Sequence, residues 1–453
     1  MEVKNPYIKR VIEQVKKRDP NELLFHQTVE EVYSSLEPVI EKRPELEKYA
    51  ILERIAEPDR TIIFRVAWVD EAGVTNVNRG MRVQNCGAIG PYKGGFRFDP
   101  TVSLEVCKFL GFEQTFKNSL TSLAMGGAKG GADFDPRGRS DADIMRFCQA
   151  FMTECYRYLG PDVDVPAGDI GVAAREVGFM YGQYKRIRGA FENGTFTGKG
   201  PSYGGSILRP EATGFGATYY TDYMLTALGD KLAGKTVMVS GFGNVAWGTC
   251  IKMTEMGAKV VTISGPDGWV HDPDGVATAE KHDFLVEMLR VDRGRVAQYA
   301  DKYPNATFHA GEKPWGKIPV DIAMPCATQN EITIDEAKVL LSSGVKYLIE
   351  VSNMPCTNDA ITFCQANGIQ VAPSKAVNAG GVSTSGLEMT QNSIRLSWKA
   401  EEVDEKLRDI MKNIHDASLA AALGYGFGHN LVAGANIAGF LKLADALLAQ
   451  GVY

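Results

Sequence analysis

The sequence predicts an α/β protein of two domains, the second of the Rossmann type. Its 453 residues are more than one hydrophobic core usually organises. A stretch rich in Gly, Ser and Thr at 189–205 separates two different patterns and marks the domain boundary. After it, short apolar runs alternate with helical stretches, which is typical of a parallel sheet flanked by helices.

Hydrophobic periodicity places the individual elements. In the first domain we expect helices at 6–17, 21–42, 103–120 and 141–159, and strands at 61–69, 81–84 and 96–98. In the second domain we expect strands at 236–240, 259–264, 321–324, 347–351 and 370–372. Two helical segments, 397–421 and 431–449, close the chain.

Composition excludes several classes of protein. The 49 basic and 55 acidic residues give a net charge of −6, so nothing indicates nucleic acid or an anionic membrane as a partner. The first 22 residues lack the apolar core of a signal peptide, and no uninterrupted apolar stretch reaches the length that spans a bilayer. The eight cysteines form no C-x-x-C pair and the six histidines are scattered, so we expect a cytoplasmic protein with reduced thiols and no metal.

A glycine-rich turn in the second domain has the form of a dinucleotide-binding fingerprint. The expected strand at 236–240 leads directly into Gly241-Phe-Gly-Asn-Val-Ala246 and a helical stretch. Gly241 permits the tight turn, Gly243 lets the backbone approach a pyrophosphate, and Ala246 allows close helix packing. A glycine turn of an ordinary α/β protein is the alternative, but the strand–turn–helix context favours a dinucleotide.

The turn after the next strand bears on the choice between NAD and NADP. That strand ends at Ser264, where an acidic residue usually holds the adenosine ribose, and the nearest carboxylate is Asp267 on the following turn. No Arg or Lys follows immediately to hold a 2′-phosphate. The pattern favours NAD.

Three lysines in the first domain stand in unusual settings. Lys93 and Lys129 each lie among glycines, whereas an ordinary solvated lysine needs no such neighbours. On a helical projection of 103–120, Lys117 lies between Val106 and Leu110 on an apolar side. A buried ammonium needs a partner such as a carboxylate or a bound anion, and the alternative is a lysine that reaches solvent from the helix end.

Two further polar positions accompany the lysines. Asp169 follows Pro166-Ala-Gly168, where it is either a functional carboxylate or the cap of a helix that begins near residue 170. Ser383 and Ser385 lie on a glycine-rich turn before a helix. A basic, glycine-lined cleft that faces a dinucleotide site suits a small dianion, and neighbouring ammonium groups lower one another's pKa toward the range of an acid–base catalyst.

Together these motifs resemble one known family. The chain is similar to the hexameric glutamate dehydrogenases of bacteria, closest to the clostridial type, and the likeness extends in order over essentially the whole sequence. It is carried by Gly90-Pro-Tyr-Lys-Gly-Gly95, Phe109-Leu-Gly-Phe-Glu-Gln-Thr-Phe-Lys117, Met125-Gly-Gly-Ala-Lys-Gly-Gly131, Pro166-Ala-Gly-Asp169, Arg209-Pro-Glu-Ala-Thr-Gly214, Gly241-Phe-Gly-Asn244 and Lys375-Ala-Val-Asn-Ala-Gly-Gly381.

The resemblance implies two domains around a cleft, a homohexamer and a set of residue roles. Residues 1–202 would form the substrate and oligomerisation domain, residues 203–425 the dinucleotide domain, and a last helix at 426–453 would pack back on the first. For the amino acid, the implied ligands are Lys93, Arg209 and Ser385 at the γ-carboxylate, Gln114 and Lys117 at the α-carboxylate, and the backbone of Gly168. Lys129 would activate water and Asp169 would move protons.

The implied reaction is the reversible conversion of L-glutamate to 2-oxoglutarate and ammonium with transfer of a hydride to NAD. Thr213 and Asn244 would orient the nicotinamide, and the dinucleotide site would also include Gly241, Gly243 and Asn378. In related NADP enzymes a serine often replaces residues like Phe242 and Pro266, so the bulk of Phe242, the missing N–H of Pro266 and the charge of Asp267 point to NAD.

Three alternatives stay open at this stage. The first is a form that prefers NADP. The second is a dehydrogenase for branched or aromatic amino acids, which would need an apolar pocket where Lys93 lies. The third is a non-catalytic regulator that only binds nucleotide, although such a protein would have no need of Lys93, Lys117, Lys129 and Asp169 together.

Overall fold

The computed structural model describes residues 3–290 and 295–452, and the chain divides into two compact units. The first comprises Met1–Ile207, Ser383–Val403 and Asn436–Tyr453. The second comprises Leu208–Val382 and Asp404–Ala435. The sequence had placed residues 383–403 in the second domain, so the return of this segment to the first unit was not predicted. The α/β fold class is confirmed.

The first unit begins with helices and continues with strands and helices in alternation. Its helices are α1 (Pro6–Arg18), α2 (Leu23–Ser34), α3 (Glu37–Lys42), α4 (Glu45–Lys48), α5 (Ile51–Ala56), α6 (Leu104–Leu120), α7 (Asp141–Cys155) and α8 (Ala174–Arg188). Its strands are β1 (Arg60–Val69), β2 (Thr75–Cys86), β3 (Tyr92–Phe98), β4 (Gly127–Ala132) and β5 (Asp164–Ala167). The single helix predicted at 21–42 is two helices, because Pro38 has no N–H to continue the hydrogen-bond ladder.

The sheet of the first unit has the order β1-β2-β4-β3-β5, and its two faces differ in chemistry. On one face, Phe98 of β3 packs edge-on against Phe147 of α7 in an aromatic core. On the other face α6 comes so close that a Cβ on Gly127 would lie 1.9 Å from Thr115 Oγ1. The glycines of β4 are therefore required by the close approach of α6.

The second unit contains the remaining strands, in two sheets. Its elements are α9 (Ala212–Ala227), β6 (Thr236–Val239), α10 (Asn244–Glu255), β7 (Lys259–Val260), β8 (Thr262–Gly265), β9 (Gly268–His271), α11 (Ala279–Arg290), α12 (Ala297–Lys302), β10 (Thr307–Ala310), β11 (Ile322–Met324), α13 (Ile334–Ser342), β12 (Tyr347–Ile349), α14 (Asn358–Ala366), β13 (Gln370–Ala372) and α15 (Ser374–Val377). The parallel sheet has the order β13-β12-β11-β6-β7, and β10-β9-β8 form a separate antiparallel sheet.

The strand predicted at 259–264 is divided between these two sheets. Only β7 pairs with β6, and β8 turns away to pair with β9. The side chain of Thr262 explains the division, because its hydroxyl donates to the carbonyl of Val239 and accepts from the amide of Val239. The Thr262 side chain thus makes the two hydrogen bonds to the Val239 backbone that the backbone of a continuing strand would otherwise make.

Three helices near the carboxyl end cross the boundaries between the units: α16 (Gly380–Ile394), α17 (Ala400–Gly424) and α18 (Leu431–Gln450). By length and composition α18 could cross a bilayer, although Lys442 and Asp445 interrupt its apolar residues, in line with the expectation that no uninterrupted apolar stretch has this length. Most of α18 is nevertheless buried in the protein, and the Asn436 amide donates to Glu31 Oε1 at 3.1 Å within the first unit. The apolar residues of α18 are those of a core helix.

Candidate active site

Strand β3 presents three functional positions on one face. Lys93, Gly95 and Arg97 occupy alternate positions of β3, and the intervening Phe96 and Phe98 face the aromatic core, so all three point to the side of the sheet that α6 covers. Lys93 is only 1% exposed. A Cβ on Gly95 would lie 2.8 Å from the carbonyl oxygen of Gly168, so only glycine fits between β3 and the end of β5.

Strand β4 carries Lys129 on the same face. All residues of β4 are buried, and those other than Lys129 are Gly or Ala. A Cβ on Gly131 would lie 1.9 Å from the carbonyl oxygen of Arg97. The small residues thus let β4 lie tightly between β3, β2 and α6, and Lys129 is the one long side chain on this strand.

Asp169 forms ion pairs with one side chain of β3 and one of β4. Its Oδ1 is 2.8 Å from Lys129 Nζ, and its Oδ2 accepts from Arg97 Nε at 2.6 Å. Helix α8 begins only at Ala174 with Ala173 at its N-cap, so Asp169 is not the helix cap that the sequence left open. The carboxylate belongs to a largely buried cluster of two cations and one anion, in which Arg97 and Asp169 are each 16% exposed.

The cluster shifts the pKa of both groups. Burial lowers the pKa of Lys129, the charge of Arg97 lowers it further, and Asp169 opposes the change. Burial alone would raise the pKa of Asp169, but Lys129 and Arg97 together hold it at about 2. Asp169 is therefore ionised at neutral pH, and Lys129 releases its proton more readily than a solvated lysine.

Helix α6 contributes Gln114 and Lys117 one turn apart. Gln114 is partly buried, and its Nε2 donates to Asn118 Oδ1 at 2.7 Å. The helix is buried nearly all round, as predicted. The stronger expectation that Lys117 itself is buried was wrong, because it lies in the last turn of α6 and remains partly exposed.

Gly168 and Ser385 also belong to the first unit. A Cβ on Gly168 would lie 2.5 Å from the carbonyl oxygen of Val172, across a turn in which the Asp169 amide donates to that carbonyl. Ser383 and Ser385 lie inside α16 and not on a turn, and Ser385 is 1% exposed. The small residues that were predicted to form a turn instead form the beginning of this helix, which starts at Gly380.

The glycine turn of the second unit has the geometry that a dinucleotide requires. Gly241 has φ of 86°, and its amide donates to Ser264 Oγ at 2.8 Å. Gly243 is the N-cap of α10, Asn244 is its first residue, and nothing lies within 4 Å of a Cβ on Gly243. The open amino end of α10, with Ala246 packed beneath it, fits a pyrophosphate.

Of the positions predicted to choose the cofactor, Phe242 lies in the glycine turn between β6 and α10, and Pro266 and Asp267 lie on the tight turn between β8 and β9. Phe242 is partly buried and Pro266 is exposed. One oxygen of the Asp267 carboxylate, Oδ2, accepts a hydrogen bond of 3.2 Å from the amide of Ala297, the first residue of α12. Asn378 donates to Asn353 Oδ1 at 3.0 Å, while its own buried Oδ1 has no partner among the described residues. Such an acceptor fits a donor on a bound cofactor.

Arg209 and Thr213 lie beside the start of α16 in the second unit. A Cβ on Gly381 would be 2.6 Å from Thr213 Oγ1 and 3.4 Å from Arg209 Nη1. The structure therefore divides the predicted amino-acid ligands. Arg209 belongs to the second unit, and the others, Lys93, Gln114, Lys117, Lys129, Gly168, Asp169 and Ser385, belong to the first.

Sequence reasoning missed Arg97, Asn118 and Ser264. The alternation of β3 could have revealed Arg97, which is two residues from Gly95 and four from Lys93 and so shares their face. Asn118 and Ser264 gave no comparable signal, because each has a hydrogen-bond partner far away in the sequence. The partner is the Lys93 carbonyl for Asn118 and the Gly241 amide for Ser264.

Comparison with known proteins first defines the class. Residues 204–451 match the family described as Glutamate/Leucine/Phenylalanine/Valine dehydrogenase. Residues 58–186 match the family described as Glu/Leu/Phe/Val dehydrogenase, dimerisation domain. With the buried Lys129–Asp169 pair and the dinucleotide turn, these matches define an amino-acid dehydrogenase.

The relatives narrow the class to one family. The chain is 60% identical over 447 residues to the NAD-specific glutamate dehydrogenase of Clostridium symbiosum, covering 98% of this chain and 99% of that protein. It is 54% identical to the NADP-specific glutamate dehydrogenase of Escherichia coli, covering 97% of each. The glutamate dehydrogenase structure of Plasmodium falciparum matches with a TM-score of 0.96 at 49% identity, covering 99% of this chain and 95% of that one. The chain belongs to the glutamate dehydrogenase family, and it is an oxidoreductase.

Proposed function

We propose that this protein catalyses the reversible oxidative deamination of L-glutamate to 2-oxoglutarate and ammonia with NAD. The observation that carries the proposal is the face of the first-unit sheet on which Lys93, Arg97, Lys129 and Asp169 are brought together. Buried cations on this face suit a dicarboxylate better than an apolar amino acid. They also speak against the branched-chain and aromatic alternatives.

The residue roles form part of the proposal. Lys93 holds the γ-carboxylate of glutamate with help from Arg209 and Ser385. Gln114 and Lys117 hold the α-carboxylate, and the Gly168 backbone contacts the substrate. The buried position of Lys93 supports its role, since a desolvated ammonium binds a carboxylate more strongly than a solvated one does.

When bound, NAD accepts a hydride from the α-carbon of glutamate. Lys129 then acts as a general base through Nζ, taking a proton from the water that attacks the oxidised α-carbon. Burial lowers the pKa of Lys129, which favours the neutral form that acts as the base. Asp169, ionised and 2.8 Å from Lys129 Nζ, accepts and returns protons at the substrate nitrogen through its carboxylate.

The dinucleotide is held by residues of the second unit. Gly241, Gly243 and the amino end of α10 receive the pyrophosphate, Thr213 and Asn244 orient the nicotinamide, and Asn378 also belongs to the dinucleotide site. The partly buried Phe242, the exposed Pro266 and the carboxylate of Asp267 disfavour a 2′-phosphate. NAD-specific relatives with 60% and 55% identity agree with this preference.

Assembly into a cytoplasmic homohexamer is a further part of the proposal. Strand β1 is an edge of the first-unit sheet, and the β1–β2 pair exposes apolar side chains. The exposed apolar residues there are Ile63, Val69, Val74 and Val77. An edge strand with apolar residues on its surface is a common site of self-association. All eight cysteines are free and buried, which suits a reducing compartment.

The first test follows the absorbance of reduced cofactor with purified protein, 2-oxoglutarate and ammonium. We expect rapid oxidation of NADH and much slower oxidation of NADPH. A preference for NADPH would overturn the interpretation of Phe242, Pro266 and Asp267 but keep the reaction. Folded protein without turnover on either cofactor would contradict the reaction itself and favour a regulator that only binds nucleotide.

A further inference from the structure

One buried amide connects the elements that carry the proposed glutamate ligands. Asn118 lies in α6, one turn after Gln114, and is fully buried at 0% exposure. Its Nδ2 donates to the carbonyl oxygen of Lys93 at 3.1 Å and to that of Gly126 at 2.5 Å. Its Oδ1 accepts from Gln114 Nε2 at 2.7 Å.

These contacts use every hydrogen that the amide can donate. An asparagine side chain has two N–H donors and one carbonyl oxygen, and here both donors meet backbone carbonyls that accept only. The side chain therefore has one orientation, with Oδ1 toward Gln114. No rotation of the amide could satisfy the same partners, because it would place oxygen against two carbonyl oxygens.

The orientation of Asn118 determines that of Gln114. Since Asn118 Oδ1 can only accept, Gln114 must present Nε2 to it. The second N–H of Gln114 and its Oε1 then point away from Asn118 in a defined order. A glutamine held in this way offers a donor to a carboxylate without the entropy loss of choosing between two orientations.

The other two bonds of Asn118 reach the strands beneath α6. Lys93 lies in β3, so the bond to its carbonyl ties α6 to the strand that carries the buried ammonium. Gly126 immediately precedes β4, the strand of Lys129. One side chain thus sets the spacing between α6, β3 and the start of β4.

We infer that Asn118 is a positioning residue for glutamate, which holds Gln114 in its donating orientation and sets the distance between α6 and the strands of Lys93 and Lys129. It acts through these residues. The inference rests on the proposed roles of Gln114 and Lys93. It goes beyond them because it assigns the geometry of the amino-acid site to a residue that does not bind the substrate itself.

Two variants test the role. Asn118→Asp keeps the shape and the acceptor for Gln114 but loses both donors and places negative charge against two carbonyl oxygens. Asn118→Ser is smaller and neutral, and it serves if the carboxylate prevents folding. The matched control is Thr115→Val, because Thr115 is also fully buried in α6 and its hydroxyl likewise makes two hydrogen bonds, to the Gly111 carbonyl and from Asn85.

Steady-state kinetics with NAD and the thermal midpoint are measured for each purified enzyme. We expect both Asn118 variants to raise the KM for L-glutamate by about tenfold or more, with the KM for NAD changed by less than about twofold. Thr115→Val should lower the thermal midpoint without raising the KM for L-glutamate relative to the KM for NAD. An equal rise in the glutamate KM for Thr115→Val, or no rise in a folded Asn118 variant, would overturn the inference.

Gln114→Ala separates this inference from the proposed function. If Gln114→Ala raises the glutamate KM and the Asn118 variants do not, the ligand role stands and the positioning role is wrong. If Gln114→Ala has no effect, the α-carboxylate assignment fails. A selective rise in the Asn118 variants would then still support positioning through Lys93 and β4, and its absence would overturn that as well.

Discussion

Asp169 lies between Lys129 and Arg97, and its two oxygens bind different cations. The anion raises the pKa of Lys129, whereas Arg97 lowers it. Arg97 thus offsets part of the stabilisation that Asp169 gives to the Lys129 ammonium. A lysine with Asp169 alone as its neighbour would hold its proton more tightly, which would make it a weaker base at neutral pH.

Replacing Arg97 by glutamine should therefore move the pH profile. Loss of the guanidinium raises the pKa of Lys129, and neutral Lys129 is the active base, so activity appears only at higher pH. We expect the acid limb of kcat/KM for glutamate oxidation to shift to higher pH, with activity lost at neutral pH and partly recovered in alkali. The measurement is kcat/KM across the pH range for Arg97→Gln and for Arg186→Gln, an exposed arginine of α8.

An acid limb that stays in place in Arg97→Gln would contradict this account of Lys129. The pKa of Asp169 gives a second constraint, because Arg97 also helps to hold it at about 2. Asp169 stays ionised in the wild-type enzyme throughout the usable pH range. An acid limb well above the pKa of Asp169 in the wild type therefore belongs to another group, and Lys129 is the candidate.

At the scale of single elements, α16 depends on a buried ion pair for its place in the first unit. Lys199 Nζ is 2.7 Å from Glu388 Oε1 and donates to Asn392 Oδ1 at 2.8 Å, and neither side chain of the ion pair is exposed. Glu388 Oε2 accepts from the Gly198 amide at 2.9 Å. Ser385 lies one turn before Glu388, so the pair anchors the helix that carries this proposed ligand.

Replacing one partner of the ion pair should lower the free energy of unfolding more than replacing both partners. Glu388→Leu leaves the Lys199 ammonium buried without its anion, and we expect a loss of about 3–5 kcal/mol in the free energy of unfolding. The double variant with Lys199→Met should recover most of that loss, since two apolar groups replace the two charges. Urea unfolding followed by tryptophan fluorescence measures both, and equal losses in the single and double variants would show that the charge pair itself is not the cause.

Elements could be predicted from sequence where one local pattern decided them. The strands predicted at 61–69 and 96–98 and the helix predicted at 103–120 follow from their own residues and are confirmed, although β3 already begins at Tyr92. The prediction at 259–264 failed because the hydroxyl of Thr262 takes the ladder positions at Val239, more than twenty residues away in sequence. The helical start of α16 was missed because its glycines and serines suggest a turn, while contacts with Ala212 and Gly216 favour close helix packing.

The residues of the candidate site could likewise be predicted only where a local sequence pattern indicated them. Lys93 and Lys129 were singled out because each lies among glycines, and Asp169 because it follows Pro166-Ala-Gly168 before a helical stretch, patterns visible along the chain. Arg97 and Asn118 were missed because their importance lies in partners: Asp169 for the first, and the carbonyls of Lys93 and Gly126 for the second. Such partners become neighbours only when β3, β4 and α6 come together.

At the scale of the whole molecule, the exposed apolar surface of β1 and β2 is a feature that a single chain leaves unexplained. Val77 pairs with Ala67 in the antiparallel register, Val77 is 64% exposed and Ile63 is 51% exposed. Charged residues would be expected on a solvated edge of this kind. Contact with another copy of the chain would remove these apolar side chains from water.

Charge placed on this surface should therefore disrupt assembly. We expect wild-type protein to have a mass of about six times 49.3 kDa by light scattering, and Val77→Lys with Ile63→Lys to give smaller species, because a buried ammonium without a partner destabilises an interface. Val452→Lys is the control, since Val452 is 80% exposed near the end of the chain and outside the β1–β2 surface. An unchanged mass in the double variant, with the wild type still a hexamer, would place the interface elsewhere. A monomeric wild type would contradict the hexamer itself, and the exposed apolar residues of β1 and β2 would then need another partner.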